Sequence, residues 1–308
     1  MAIKPPVLQS GDTIGLVTPG SPIDAAIIDA RVQFLRNMGF NVVFGNYVYS
    51  IDGIVSAPAD NRAEDIMDMF QNPDVKMILP TRGGTGVQGI LPFLDFNVIK
   101  ENPKLISGYS DNTVLLNSLY QFSDLTTFHS LMLIDFRAET PAYNFNQFFA
   151  ATSTFTSPRT IQNPPEMTLM SVTPGNVTGP IVGGNLTSIV NTLGTPYEID
   201  TKGKILFLEE VHAPATMIFR FLTQLSMAGK FNDCIGIIMG ECTDCPASYN
   251  TTYSDLVNYF LVPFNKPLMI NLATGHGRYK AAIPIGASVN LNTTNNTLTV
   301  LEPTVSWE

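Results

Sequence analysis

The sequence predicts an α/β chain, with a Rossmann-like parallel sheet in its first half and a β-rich second half. Three observations carry this. Short apolar runs alternate with helix-period stretches through the first 140 residues, which is the pattern of successive βαβ units. From residue 179 onward short strands dominate instead. The composition, 44% apolar and only 14% charged over 308 residues, supplies a core and is the opposite of a disordered chain.

Taken in order, Thr13-Ile14-Gly15-Leu16-Val17 is an apolar run ending in Thr-Pro-Gly, a strand running into a turn. Residues 23–39 place Ala26, Ile27, Ala30, Val32, Leu35 and Met38 at helical spacing. Residues 40–44 return to strand. Residues 60–71 read as a helix through Ile66, Met67, Met69 and Phe70. Val75 to Leu79 and Leu105-Ile106 are strands, and Asn112 to Tyr120 is helical. Ligands in such sheets bind beyond the carboxyl ends of the strands, which singles out the loops after Leu79 and after Ile106. The stretch 137–178 is rich in Thr, Ser, Asn and Pro and reads as a connector, with a helix around 143–150. Strands follow at 205–208, 235–239, 268–270 and 298–301, with one clear helix from Thr216 to Ala228. The expected division is therefore residues 1–140, a connector at 141–178, and 179–308.

Charge narrows the partners. Lys and Arg number 17 against 26 Asp and Glu, a net −9, which argues against nucleic acid and against an anionic membrane surface. No apolar run approaches the roughly 18 residues of a membrane span, and the start, Met1 to Pro6, is followed by no apolar signal segment. The chain is expected to be soluble and cytoplasmic. Its cysteines are Cys234, Cys242 and Cys245, an odd count that argues against a disulfide framework. Cys242 and Cys245 form a Cys-x-x-Cys. It lacks the second ligand pair of a zinc site and precedes the loop-like Pro246-Ala247-Ser248 rather than a helix. The cysteines read as small, partly buried side chains, and no metal or organic cofactor is expected.

Four constellations could carry chemistry. Gly108-Tyr109-Ser110-Asp111 lies between a strand and a helix, where a tight turn lifts a serine Oγ clear of the sheet and aims helix N-terminal amides at the same spot. The tetrapeptide by itself fits a plain helix cap, Ser110 or Asp111, better than it fits a nucleophile. Arg82-Gly83-Gly84-Thr85-Gly86 follows another strand. Its glycines let backbone amides approach a phosphate or an oxyanion, or they simply make a turn. Glu209-Glu210 closes the strand at 205–208 and offers a carboxylate to orient an imidazole, or two solvated rim charges. The three histidines are His129, His212 and His276, the last set between glycines in a flexible loop.

Together, Gly108-Tyr109-Ser110-Asp111, Glu209-Glu210 and Gly275-His276 resemble the LD-carboxypeptidases, the serine peptidase family of murein tetrapeptide carboxypeptidases and microcin-immunity peptidases. The resemblance runs along nearly the whole chain, through Gly11 to Gly15, Arg82 to Gly84, Pro103-Lys104, Gly183 to Leu186, Gly194 to Tyr197, Gly203 to Glu209 and Pro284 to Gly286. It departs at His129-Ser130-Leu131, where the family usually has His-Gly-Pro. The resemblance implies a Ser–Glu–His triad of Ser110, Glu209 and His276. It also implies oxyanion donors on the backbone of Asp111 and Gly83, with Gly84 the other candidate, in a cleft between two domains. Arg82 is a candidate clamp for a substrate carboxylate. The implied substrate is a muropeptide ending in D-alanine, cut after an L-centre, and the implied assembly is a homodimer. Two rivals are cleavage of aminoacyl-nucleotide conjugates and a non-catalytic binding protein on the same scaffold.

Overall fold

The computed structural model describes residues 2–155 and 157–307. Its first half contains β1 (Thr13–Val17), α1 (Ala25–Asn37), β2 (Asn41–Phe44), α2 (Ala59–Gln71), β3 (Val75–Pro80), α3 (Phe96–Glu101), β4 (Leu105–Gly108), α4 (Thr113–Ser123) and β5 (Thr127–His129). The strands lie in the order β2-β1-β3-β4-β5, all parallel, as the βαβ pattern requires. This is a doubly wound order whose direction reverses between β1 and β3. Both faces are covered, so successive residues of a strand serve different layers. Val75 and Ile78 pack with Ile66, Met69 and Phe70 of α2, while Met77 and Leu79 join Ile14, Leu16 and the α1 residues Ile28, Val32 and Leu35. Complete burial of a side chain such as Phe70 contributes about 2–3 kcal/mol. Buried Lys104 closes the turn below β3, its Nζ donating to Asn72 O and Val75 O at 2.6 Å each.

The rest of the chain contains α5 (Ala142–Thr152), β6 (Arg159–Ile161), β7 (Met170–Thr173), β8 (Asn176–Asn185), α6 (Leu186–Thr192), β9 (Ile205–Val211), α7 (Ala215–Met227), α8 (Lys230–Asp233), β10 (Gly236–Thr243), α9 (Tyr253–Leu261), β11 (Leu268–Leu272), β12 (Ile283–Ile285), β13 (Ser288–Asn292) and β14 (Thr297–Val300). Eight strands form a second sheet in the order β6-β14-β13-β8-β9-β10-β11-β7. Its middle four are parallel and its flanks antiparallel. The connector holds α5 where a helix was expected, and it also donates the two edge strands β6 and β7. Helix α9 was not expected. Its start is marked by a capping box, Thr252 with Asp255, a signal present in the sequence but embedded in a Ser/Thr/Asn-rich stretch.

The two halves interlock. β12 leaves its neighbours in the chain and pairs antiparallel with β5, Ile283 opposite His129. At the end of β8, Asn117 of α4 exchanges two hydrogen bonds with Gly183, N–H to Oδ1 at 3.0 Å and Nδ2 to carbonyl at 2.8 Å. Gly184 (φ 138°) is a point of close approach: a Cβ there would lie 2.6 Å from Thr113 Oγ1 and 3.1 Å from the His129 ring. The motif Gly183-Gly184-Asn185 thus exists to let one sheet rest on the helix and strand of the other. Among the described residues, no helix is long and apolar enough to cross a membrane.

One expectation is corrected. Cys242 and Cys245 are joined as a disulfide, whereas Cys234 is free and buried. The end of β10 turns sharply enough to bring the two Cα atoms to 5.5 Å, inside the range a disulfide spans.

Candidate active site

Ser110 sits directly after β4, at the topological position where ligands are held in open α/β sheets. Its φ is 61°, a left-handed conformation that costs a non-glycine residue free energy and that the surrounding packing must enforce. The helix-cap alternative does not hold. Neither Ser110 nor Asp111 makes a side-chain cap to the helical turn that begins at Ser110 or to α4. Asp111 instead accepts from Val87 N–H at 2.8 Å, which ties the glycine loop after β3 to the elbow. Burial pushes the Asp111 carboxyl up, against the pull of that bond.

The loop Arg82 to Gly86 is held from three sides. Ser21 N–H donates to Gly83 O at 3.2 Å, and Thr85 N–H donates to Ser21 Oγ at 3.0 Å. Buried Arg62 reaches Gly86 O at 2.8 Å and Ala57 O at 2.7 Å and also bonds Pro19 O. Sequence reasoning missed Arg62, because nothing in a helical stretch marks an arginine that turns inward to bind loop carbonyls. Gly83 is buried against the elbow: a Cβ on it would lie 2.8 Å from Ser110 Cβ, 3.1 Å from Ser110 Oγ and 3.0 Å from Asp111 N. The space beside Ser110 Oγ is therefore lined by backbone at the start of α4, where helix N–H groups lack internal partners. Gly84 (φ 83°) lies against Ser21 and is exposed. The Arg82 carbonyl accepts from Asn112 at 3.2 Å, and its guanidinium makes no ion pair among the described residues.

Glu209 and Glu210 point to opposite faces, as neighbours on a strand must. Glu210 accepts from Thr187 N–H at 2.8 Å, Thr187 Oγ1 at 2.6 Å and Asn185 Nδ2 at 3.2 Å, and so anchors the start of α6. Glu209, 1% exposed, meets His276 Nδ1 at 2.8 Å. Burial pushes the Glu209 carboxyl up, but the opposing interactions, led by the hydrogen bond from His276, outweigh it, so its pKa falls and it is ionised at neutral pH. The ring of Tyr109, the residue before Ser110, stands edge-on to the His276 ring at 5.2 Å. Elbow and histidine loop therefore meet, although they belong to different sheets. His212 is exposed at φ 58°, its backbone N–H bonded to Thr243 O at 2.9 Å, and it takes no part in this cluster.

Two further neighbours, Lys280 and His129, border the site. Lys280 Nζ donates to Gly277 O at 2.7 Å and lies 4.9 Å from the centre of the Tyr109 ring, which braces the histidine loop. Burial pulls its pKa down, against the nearby carboxylates. His129 is fully buried, with Nε2 3.9 Å from Glu209 Oε1. Among the described residues, no group of three or more His, Cys, Asp or Glu could hold a metal ion.

A strained serine at a strand-to-helix turn, and a histidine paired with a buried carboxylate that meets the residue before that serine, are elements that serine-type hydrolases use. The chain belongs to the LD-carboxypeptidase family: residues 14–130 match its N-terminal domain and residues 178–291 its C-terminal domain. It is 35% identical over 312 residues to the "Probable murein peptide carboxypeptidase" of Bacillus subtilis (strain 168), covering 98% of this chain and 95% of that one. It is 28% identical to the microcin C7 self-immunity protein MccF of Escherichia coli, over 98% of this chain and 96% of the relative. The solved structure of MccF in an inactive mutant apo state superposes with a TM-score of 0.92 at 24% identity, covering 98% of this chain and 99% of that one, a likeness of fold.

Proposed function

We propose that the chain is a serine carboxypeptidase that removes the C-terminal D-alanine of muropeptide tetrapeptides in the cytoplasm, in the recycling of cell-wall peptides. The scissile amide joins the L-centre of diaminopimelate or lysine to D-alanine. The supporting observation is the 2.8 Å His276–Glu209 pair, whose histidine ring meets Tyr109 next to the strained Ser110, in a chain 35% identical to a relative named for murein peptides. In this reading residues 1–140 supply the nucleophile, residues 179–308 supply the acid and base, and 141–178 joins them.

His276 gives its Nδ1 proton to the bond with Glu209, which leaves Nε2 to take the proton of Ser110 as Oγ attacks the carbonyl. Glu209 keeps that tautomer and offsets the imidazolium charge. The oxyanion settles between the backbone N–H groups of Gly83 and Asp111, with Gly84 nearby, each donor lowering the barrier by about 3 kcal/mol. The Nε2 proton then passes to the departing D-alanine amine, and water releases the acyl group from Ser110 by the same route. Arg82 pairs with the free carboxylate of D-alanine.

Mass spectrometry of a muropeptide tetrapeptide incubated with wild type and with Ser110→Ala tests this. Loss of one D-alanine with wild type alone supports it. Release by both variants rules out Ser110 as nucleophile. Release by neither rules out the muropeptide, and an aminoacyl-nucleotide conjugate, suggested by the 28% identical immunity relative, is then the substrate to assay.

A further inference from the structure

His129 belongs to both halves of the molecule. Its backbone is in register with Gly108, and the next residue, Ser130, donates its N–H to Gly108 O at 3.1 Å, so it is fixed to the strand that leads into Ser110. Its ring crosses to the second sheet and stands edge-on to Phe207 of β9 at 5.0 Å. Nε2 faces Glu209 Oε1 at 3.9 Å. Both atoms are buried, and neither has a hydrogen-bond partner among the described residues. The other oxygen of the same carboxylate, Oε2, is the one bonded to His276.

Buried polar atoms without partners are uncommon, and two that face each other call for an explanation. Their 3.9 Å separation exceeds the roughly 3.2 Å limit of an N–H···O bond. It is also too short for an intervening water, which needs about 4.5 Å or more between the atoms it bridges. The two groups can be satisfied only by closing on each other by about 0.7 Å or more. On the far side of the ring, Nδ1 lies 3.3 Å from Thr274 Oγ1, two residues before His276. The single Thr274 hydroxyl proton also has Ala281 O within reach at 3.2 Å, so a bare Nδ1 must take that proton in place of Ala281 O. Burial outweighs the nearby Glu209 charge and holds the imidazole pKa at about 4, so the ring carries one proton at neutral pH.

We infer that His129 is a positioning residue. It accepts from Thr274 at Nδ1, donates from Nε2 to Glu209 Oε1, and so holds the carboxylate where Oε2 meets His276. The chain of bonds starts and ends in the loop that carries His276, and it passes through the strand beside the nucleophile. The catalytic pair is thus set by the docking of the two sheets. This rests on the Ser110–Glu209–His276 reading above.

Two substitutions test it. His129→Leu removes both nitrogens at similar volume, whereas His129→Gln keeps an N–H donor near the Nε2 position. The leucine variant should lose on the order of ten- to a hundred-fold in kcat, with KM within about two-fold, and glutamine should restore most of the loss. The tautomer is read independently by ¹⁵N NMR of the wild-type imidazoles. With three histidines in the chain, the His129 signals follow from comparison with His129→Gln, His212→Gln and His276→Gln. A protonated Nε2 and a bare Nδ1 are expected, and the opposite tautomer overturns the inference even if the leucine variant fails to fold. A folded His129→Leu protein with wild-type kcat, alongside an inactive Ser110→Ala, also overturns it and leaves the triad standing. An active Ser110→Ala removes the triad itself.

Discussion

Gly83→Ala is a sharp test of the oxyanion site, because the substitution is harmless to the backbone and harmful only to one space. Gly83 does not occupy the left-handed region, so alanine can adopt its conformation without strain. Its Cβ, however, would lie 2.8 Å from Ser110 Cβ, 3.0 Å from Asp111 N and 3.1 Å from Ser110 Oγ. Ordinary contact between such atoms is about 3.5–4.0 Å, so elbow and loop must part by roughly 0.5–1 Å. An oxyanion donor works at about 2.7–3.1 Å, and a displacement of that size takes it out of range. Losing one donor costs about 3 kcal/mol, or roughly a hundred- to a thousand-fold in kcat. Stability should change by less. Overpacking costs about 1–3 kcal/mol, and the stiffer unfolded chain returns about 0.4–1 kcal/mol. The assay is D-alanine release against substrate concentration, with a thermal melt of the same preparation. Gly84→Ala is the contrast: Gly84 has φ 83° and abuts Ser21, so both melting temperature and activity should fall. A folded Gly83→Ala enzyme within three-fold of wild-type kcat would refute the placement of the oxyanion between Gly83 and Asp111.

Other outcomes follow from the same geometry. Glu209→Gln can present an amide donor to His276 and favour the wrong tautomer, so steady-state kinetics should show kcat down by roughly 10³–10⁴-fold with KM little changed. His129 is fully buried, and its pKa falls from 6.5 to about 4 on folding. The folded value lies below the unfolded one, so the associated stability is full above pH 6.5 and is lost as pH falls towards 4. At about 1.4 kcal/mol per pH unit this is on the order of 3 kcal/mol, read as a steeper decline in urea midpoint for wild type than for His129→Gln. Lys104→Met removes the ammonium donor from Val75 O and from Asn72 O, which keeps only the Val75 N–H, and should cost about 1–3 kcal/mol of unfolding free energy while kinetics stay unchanged. Prolonged chelation should leave D-alanine release unaltered, and a loss restored by a divalent ion would show a metal dependence that no cluster among the described residues explains.

The sequence by itself indicated strands β1 to β4 and the main helices between them, because a strand or helix buried on a fixed face must repeat its apolar residues at period 2 or 3.6, and both periods are visible from Thr13 to Tyr120. Strand β12, which completes the first sheet from residues 283–285, was not among them. The sequence also placed the candidate serine, carboxylates and histidine at strand ends. It could not say that Ser110 is held at φ 61° and caps no helix, because that depends on Gly83 and Asp111 packing against each other from separate loops. Residue type and spacing alone did not choose between adjacent Glu209 and Glu210; only the family resemblance named Glu209. One turns to His276, 67 positions further along, and the other to the start of α6, and only the pairing of β8, β9 and β10 decides which. The edge strands β6 and β7 were hidden in the Ser/Thr/Asn/Pro-rich connector, since an edge strand buries too little to show a pattern. Most of all, tertiary structure decided the part played by His129. Local sequence shows a histidine ending a short strand. What it touches depends on how two sheets dock, and burial with its loss of solvent is what makes a second imidazole beside Glu209 matter.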